Sequence, residues 1–132
     1  LDFFSFKPTI VCNSIDWINV TLYINRTMKK KSNVRFNYMY RDAGNYKNFG
    51  FAIFKNPNSL SILELNKKLA RVMIDELYFD HTKLRLPPLF FENLNSDDHA
   101  WHEYINIELT DKDQTEDVTI DIAIFHAENS TN

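Results

Sequence analysis

Between Ser96 and Tyr104 the chain places Asp97, Asp98, His99, His102 and Glu103 beside Trp101, all within nine residues. Imidazoles and carboxylates at this density suit two chemistries. One is a divalent metal centre in which a bound water serves as nucleophile or base. The other is general acid–base catalysis, which needs a carboxylate and a histidine converging on one pocket. Spacing limits the first. Histidines three residues apart share a helix face but lie on opposite sides of a strand. The residues after Trp101 alternate as a strand, so joint capture by His99 and His102 requires the loop to curl. A structural arrangement, with Asp98 turning the loop and His102 hydrogen-bonding it, ranks ahead of a metal site. The sequence has no glycine-rich phosphate loop, nucleophile elbow or paired-cysteine motif, so no cofactor is expected and an enzyme is the minority reading.

The elements that must carry these residues are legible as periodicities. Val34, Phe36, Tyr38 and Tyr40 alternate with Arg35, Asn37, Met39 and Arg41, which predicts a half-buried strand. A second strand is expected over Tyr46–Phe54, with Phe49, Phe51 and Ile53 on one side. Asp42–Asn45 supplies the turn between them, Gly44 being the residue suited to positive φ. Ser61 and Glu64 form a capping box that opens a helix carrying Ile62, Leu65, Leu69, Val72 and Met73 on one face and ending near Asp75–Leu77. Pro87 and Pro88 force a bend into extended chain. The next strand is expected over Trp101–Leu109, with Trp101, Ile105, Ile107 and Leu109 on one face and His102, Tyr104, Asn106 and Glu108 on the other. Val118–Phe125 fits a strand, whereas Ile120, Ala123, Ile124 and Ala127 fit a helical stripe, so both remain open there. The fold class is therefore α+β: an antiparallel sheet, built from the hairpin and one or two further strands, against one main amphipathic helix.

Lys47–Phe54 resembles the RNP1 motif of RNA-recognition domains, in which strand aromatics stack on bases. It departs at Asn48 and Ala52. The element order also differs, since that domain places a helix between its first two strands and residues 26–33 leave no room for one. Nucleic acid is therefore a secondary expectation, and packing of Phe49, Phe51 and Phe54 on the sheet is the simpler one.

With 132 residues, two glycines and 44% hydrophobic residues, the chain suits one globular domain. The lone Cys12 points to a reducing compartment, and the sequons at Asn19, Asn25 and Asn129 matter only in a secretory protein. No apolar run is long enough to span a bilayer and the amino terminus does not read as a signal peptide, so a cytoplasmic location without membrane attachment is expected. Met28 followed by three lysines reads as a bacterial translation start. Residues 1–27 are then a possible non-native or upstream-translated extension before a single domain over 28–132; the alternative is a genuine strand at Trp17–Ile24. Charge is segregated. Residues 26–72 hold eleven basic side chains against Asp42 and Glu64, whereas residues 92–121 hold ten carboxylates against Lys112. Mutual neutralisation on folding is the simpler explanation, and an acidic face for a basic partner is the sharper one.

From Met28 onward the chain resembles a family of small bacterial proteins to which no activity is attached. The likeness rests on Arg35–Asp42, Asn45–Gly50, Phe54–Asn58, Leu60–Ser61, Leu86–Pro87 and Asp98–Glu103, and covers residues 33 to about 120. It implies no reaction, but it directs attention to two polar clusters: Arg41, Asp42, Asn45, Tyr46 and Lys47 at the turn, and Asp98, His99, Trp101, His102 and Glu103 at the later junction. The chain departs from the family pattern at Phe51, where a polar residue is usual, at Glu76, which replaces a glycine after the helix, and in a more apolar tail. The combined expectation is a non-enzymatic interaction module, accessory or immunity-like, with a protein partner. Nothing in the sequence sets the oligomeric state.

Overall fold

A computed structural model of the chain describes residues 18–20 and 33–130. The chain divides into two units, 1–31 and 32–132, and each is taken by itself. Of the first, Ile18, Asn19 and Val20 are helical, which removes the strand alternative at those three positions. The remainder of that proposed strand, together with Cys12, Asn25 and Met28–Lys31, lies outside the described residues.

The second unit is α+β. Strand β1 spans Asn33–Arg41, β2 Lys47–Phe54, helix α1 Ile62–Arg71, strand β3 Tyr78–Phe79, β4 His102–Thr110 and helix α2 Ile120–Asn129. The four strands form one antiparallel sheet in the order β2-β1-β4-β3. Even-numbered β1 residues Val34, Phe36, Tyr38 and Tyr40 are fully buried, as strand alternation requires. With Ala52, Phe54 and Ile107 from the flanking strands they meet Leu65, Leu69 and Met73 of the α1 region and Ile120, Ala123 and Ile124 of α2. Both helices therefore cover the same sheet face.

Local chemistry explains the element boundaries. Ser61 accepts the Glu64 N–H while the Glu64 carboxylate accepts the Ser61 N–H, and these bonds hold the Glu64 carboxyl below its ordinary range. Buried Asn56 closes the preceding loop by bonding both the C=O and the N–H of Leu60. Helix α1 stops at Arg71, earlier than its periodicity suggests, because the backbones of Ile74 and Tyr78 bond to each other at 2.8 and 2.9 Å and reverse the chain into β3. Inside this reversal Asp75 and Glu76 adopt φ of 54° and 56°, the left-handed region that glycine favours. Glu76→Gly is accordingly expected to stabilise the fold by up to about 1 kcal/mol in urea denaturation. Loss of stability would contradict this explanation of the turn.

The open alternatives at residues 118–127 resolve as a helix. Thr119 caps α2 by accepting the Ile122 N–H at 3.3 Å, and the helical stripe faces the core while Ile122 and Phe125 stay exposed. In the hairpin turn the positive φ falls on Asn45, at 69°, and Gly44 has none. The glycine that sequence-level reasoning did not single out is Gly50. A Cβ there would lie 2.7 Å from Leu89, so its lack of a side chain lets the 86–91 segment lie against β2.

Strand β4 departs most from the expected alternation. Its pairing with β1 steps from Asn37–Asn106 to Tyr38–Tyr104, leaving Ile105 as an extra residue in a bulge. His102 and Tyr104 therefore share the core face with Ile107, while Glu103, Ile105, Asn106 and Glu108 occupy the other face. The two-face assignment expected for Trp101–Leu109 is corrected by this one insertion. The half-buried Tyr104 phenol donates to Asn66 of α1 at 2.6 Å, and its partial burial pushes its pKa up to about 12.

Candidate functional site

The two polar clusters converge at one end of the sheet. Because β1 and β4 pair, Arg41 reaches Glu103: its Nε donates to one carboxylate oxygen at 2.8 Å and its Nη2 to the other at 3.2 Å. This fork-to-fork geometry raises the guanidinium pKa chiefly through the hydrogen bond to Glu103. Nη1 of Arg41 also donates to Asn45 at 2.6 Å. Asp42 closes the turn by accepting the Tyr46 N–H at 2.8 Å. Asp98 then fastens the 92–101 loop to that turn, one carboxylate oxygen accepting from Ala43 N–H at 2.9 Å and the other from Asn95 N–H at 3.0 Å. These amide bonds, with the nearby His99, hold the Asp98 carboxyl below its ordinary range.

His102 occupies the interior of this junction, with none of its surface exposed. Rings of Tyr38, Tyr40, Phe79, His81 and Phe90 surround it at centroid distances of 5.1–6.0 Å. Nε2 accepts the Leu89 N–H at 3.0 Å, so the ring proton resides on Nδ1, which faces the Ala100 carbonyl at 3.3 Å. Both ring nitrogens thus have partners, and the imidazole is neutral. Burial, reinforced by the positive charge available to His81 and His99, pushes its pKa down to about 4. Tyr38 and Tyr40 are pinned in the same way, donating to the carbonyls of Pro87 and His99 at 2.6 and 2.7 Å.

The remaining cluster residues lie at the surface. Tyr46, Lys47, His99 and Trp101 are exposed, and Nδ1 of His99 accepts the Trp101 N–H at 3.1 Å. His81 and His126 each direct Nδ1 to a backbone carbonyl, of Leu86 and Lys83 respectively. Among the described residues no three His, Cys, Asp or Glu side chains are grouped so as to hold a metal ion. Chemically, the junction is a clasp. Its buried imidazole has no lone pair to offer, the Asp98 carboxylate binds two amides, and Glu103 is neutralised by Arg41.

A different surface is the accessible one. On the sheet face away from the helices, Phe49, Phe51 and Ile105 are 63%, 45% and 44% exposed around Arg35, Asn37, Met39 and Asn106. The Arg35 guanidinium lies 3.9 Å from the Phe51 ring centroid, and Arg35, Asn37, Asn106 and Glu108 form a hydrogen-bonded row across the two strands β1 and β4. Sequence-level reasoning did not single out Arg35, Asn37, Ile105 or Asn106. The alternation of β1 already places Arg35 and Asn37 opposite the core, but the bulge that brings Ile105 and Asn106 to the same face leaves no trace in composition. Charge neutralisation between the halves is partial. Arg35 and Arg41 pair with Glu108 and Glu103, whereas the exposed Asp111, Asp113 and Asp117 have no ion pair among the described residues. No helix among the described residues is long and apolar enough to cross a membrane. No family model, curated protein or solved structure matches the chain.

Proposed function

We propose that the protein is a non-enzymatic module that binds a protein partner across the open face of its sheet. The observation that carries this reading is the contiguous exposure of Phe49, Phe51 and Ile105 around an internally hydrogen-bonded Arg–Asn–Asn–Glu row. Large aromatic groups left in water beside a paired guanidinium have the composition of interface centres. Tyr46, Lys47 and Trp101 form a polar and aromatic rim at the clasp end. The clasp supports recognition by fixing that rim, and its residues are positioned for architecture more than for proton transfer. A bacterial cytoplasmic partner, in an accessory or immunity-like role, fits the lone Cys12 and the family likeness of the motifs.

Nucleic acid is the second reading, because the two exposed phenylalanines belong to the stretch that resembles RNP1 and rings two residues apart can stack on bases. The carboxylates of Glu103 and Glu108 on the same face offset Arg41 and Arg35, which favours a protein. Replacing both phenylalanines (Phe49→Ser with Phe51→Ser) is expected to weaken a captured partner at least thirtyfold, roughly the effect of losing one interface hot spot, whereas Asp98→Asn should leave capture within a few-fold. Equal capture by the double variant would refute the face. Tight, steeply salt-dependent binding of single-stranded oligonucleotides would replace the protein partner with a nucleic acid.

A further inference from the structure

The geometry points to a second copy of this chain as a partner of the β2 edge, pairing strand β2 antiparallel with itself so that two four-stranded sheets become one. Among the described residues strand β2 terminates the sheet, and its register identifies which backbone groups face outward. The N–H of Ile53 bonds Thr115 Oγ1, and its C=O accepts the N–H groups of Thr115 and Glu116, all on the side away from β1. Outward direction alternates along a strand, so Lys47, Phe49 and Phe51 also present their N–H and C=O groups outward, while Asn48, Gly50, Ala52 and Phe54 bond to β1. Among the described residues these outward groups of Lys47, Phe49 and Phe51 have no backbone partner. The stretch from Asn48 to Phe54 contains no charge and no proline, the usual protections of an edge.

Three outward positions followed by a blocked one fix the register. A two-fold contact matches each position with its symmetric counterpart. Pairing Phe49 with Phe49 of the second copy, and Lys47 with its Phe51, uses all three outward positions on both sides. Ile53 would then fall opposite Asn45 of the other copy, where that chain has already left the strand through its turn, so the Thr115 segment meets no continuing strand. Moving the two-fold centre by two residues places Phe49 against the occupied edge of Ile53 in one direction and Lys47 against Lys47 in the other. An unlike strand has no built-in reason to stop at Thr115; a second β2 does. The open faces of the two copies become continuous, with the four phenylalanines along the seam. This inference concerns the edge of the sheet and does not depend on the partner-binding reading of its face.

Sedimentation of the purified full chain tests it without any other protein. The weight-average mass should rise from 15.7 kDa toward twice that value with concentration, with a dissociation constant of roughly micromolar order for so small an interface. Phe49→Pro removes an outward N–H that β1 does not use and should return the chain to a monomer. Phe51→Lys and Phe51→Glu lose the same ring but meet Lys47 of the other copy with like or opposite charge, so the Glu variant should dimerise about tenfold more tightly than the Lys variant. Circular dichroism checks folding of each. A monomer at all concentrations overturns the inference and leaves the edge to a strand of another protein. A dimer indifferent to Phe49→Pro, or one in which Lys and Glu at 51 are equivalent, overturns it as well.

Discussion

His102→Ala is expected to lower folding stability by about 3–4 kcal/mol, more than substitution of any other residue in the clasp. Two effects add. The side chain fills a fully buried space among Tyr38, Tyr40, Phe79, His81 and Phe90, so its removal leaves a cavity that these large rings cannot readily close. The Leu89 N–H also loses its acceptor, Nε2, and an unpaired interior donor costs about 1–3 kcal/mol by itself. His102→Leu separates the two effects. It restores much of the volume but not the acceptor, so its cost should be close to that of the orphaned amide alone. Urea denaturation of the three proteins measures the difference. A loss under 1 kcal/mol for the alanine variant would show that the ring does not support the junction.

Acid should destabilise the wild-type protein in a window where carboxylates are silent. The His102 imidazole titrates near 4 in the folded chain, against 6.5 when unfolded, because burial disfavours its charged form. Between these values the unfolded state binds the proton and the folded state does not. Stability therefore falls as pH drops from about 6.5 toward 4, and the loss saturates below that, reaching about 3 kcal/mol. Asp98, Asp80 and Glu64 have carboxyls held below their ordinary values, so their contributions are lost only below about 4.5. Denaturation at pH 7 and pH 5 should thus differ in the wild type and much less in His102→Leu. An identical pH dependence in both would contradict a neutral buried imidazole.

The parts of the fold legible in the sequence are those whose causes are local. The β1 alternation, the Ser61–Glu64 capping box and the α1 stripe each depend on residues within a few positions, and each appears in the structure. Residues 118–127 fit both readings because Ile120 and Ile124 satisfy both periods; Thr119 as an N-cap and the demand for cover over β1 and β2 select the helix. The bulge at Ile105 arises from pairing with β1, which composition does not encode, and it alone reverses which face His102 joins. Strand β3 has two residues and exists through its pairing with β4. The same distinction holds at the site. The acidic and histidine-rich segment was conspicuous, but its role depends on partners far away in the chain: Ala43 for Asp98, Arg41 for Glu103 and Tyr38 beneath the His102 ring. Phe49 and Phe51 were visible as one side of a strand, yet only the placement of both helices on the opposite face exposes them.

The most direct test of the clasp is the state of the His102 ring, read from its nitrogen shifts by NMR across pH and with added zinc or manganese. A neutral ring protonated at Nδ1, which neither titrates above pH about 5 nor responds to the metals, is the predicted result. A ring that gains its proton near pH 6.5, or whose Nε2 shifts on adding zinc, would contradict the structural role and restore chemistry to the Asp98–Glu103 segment.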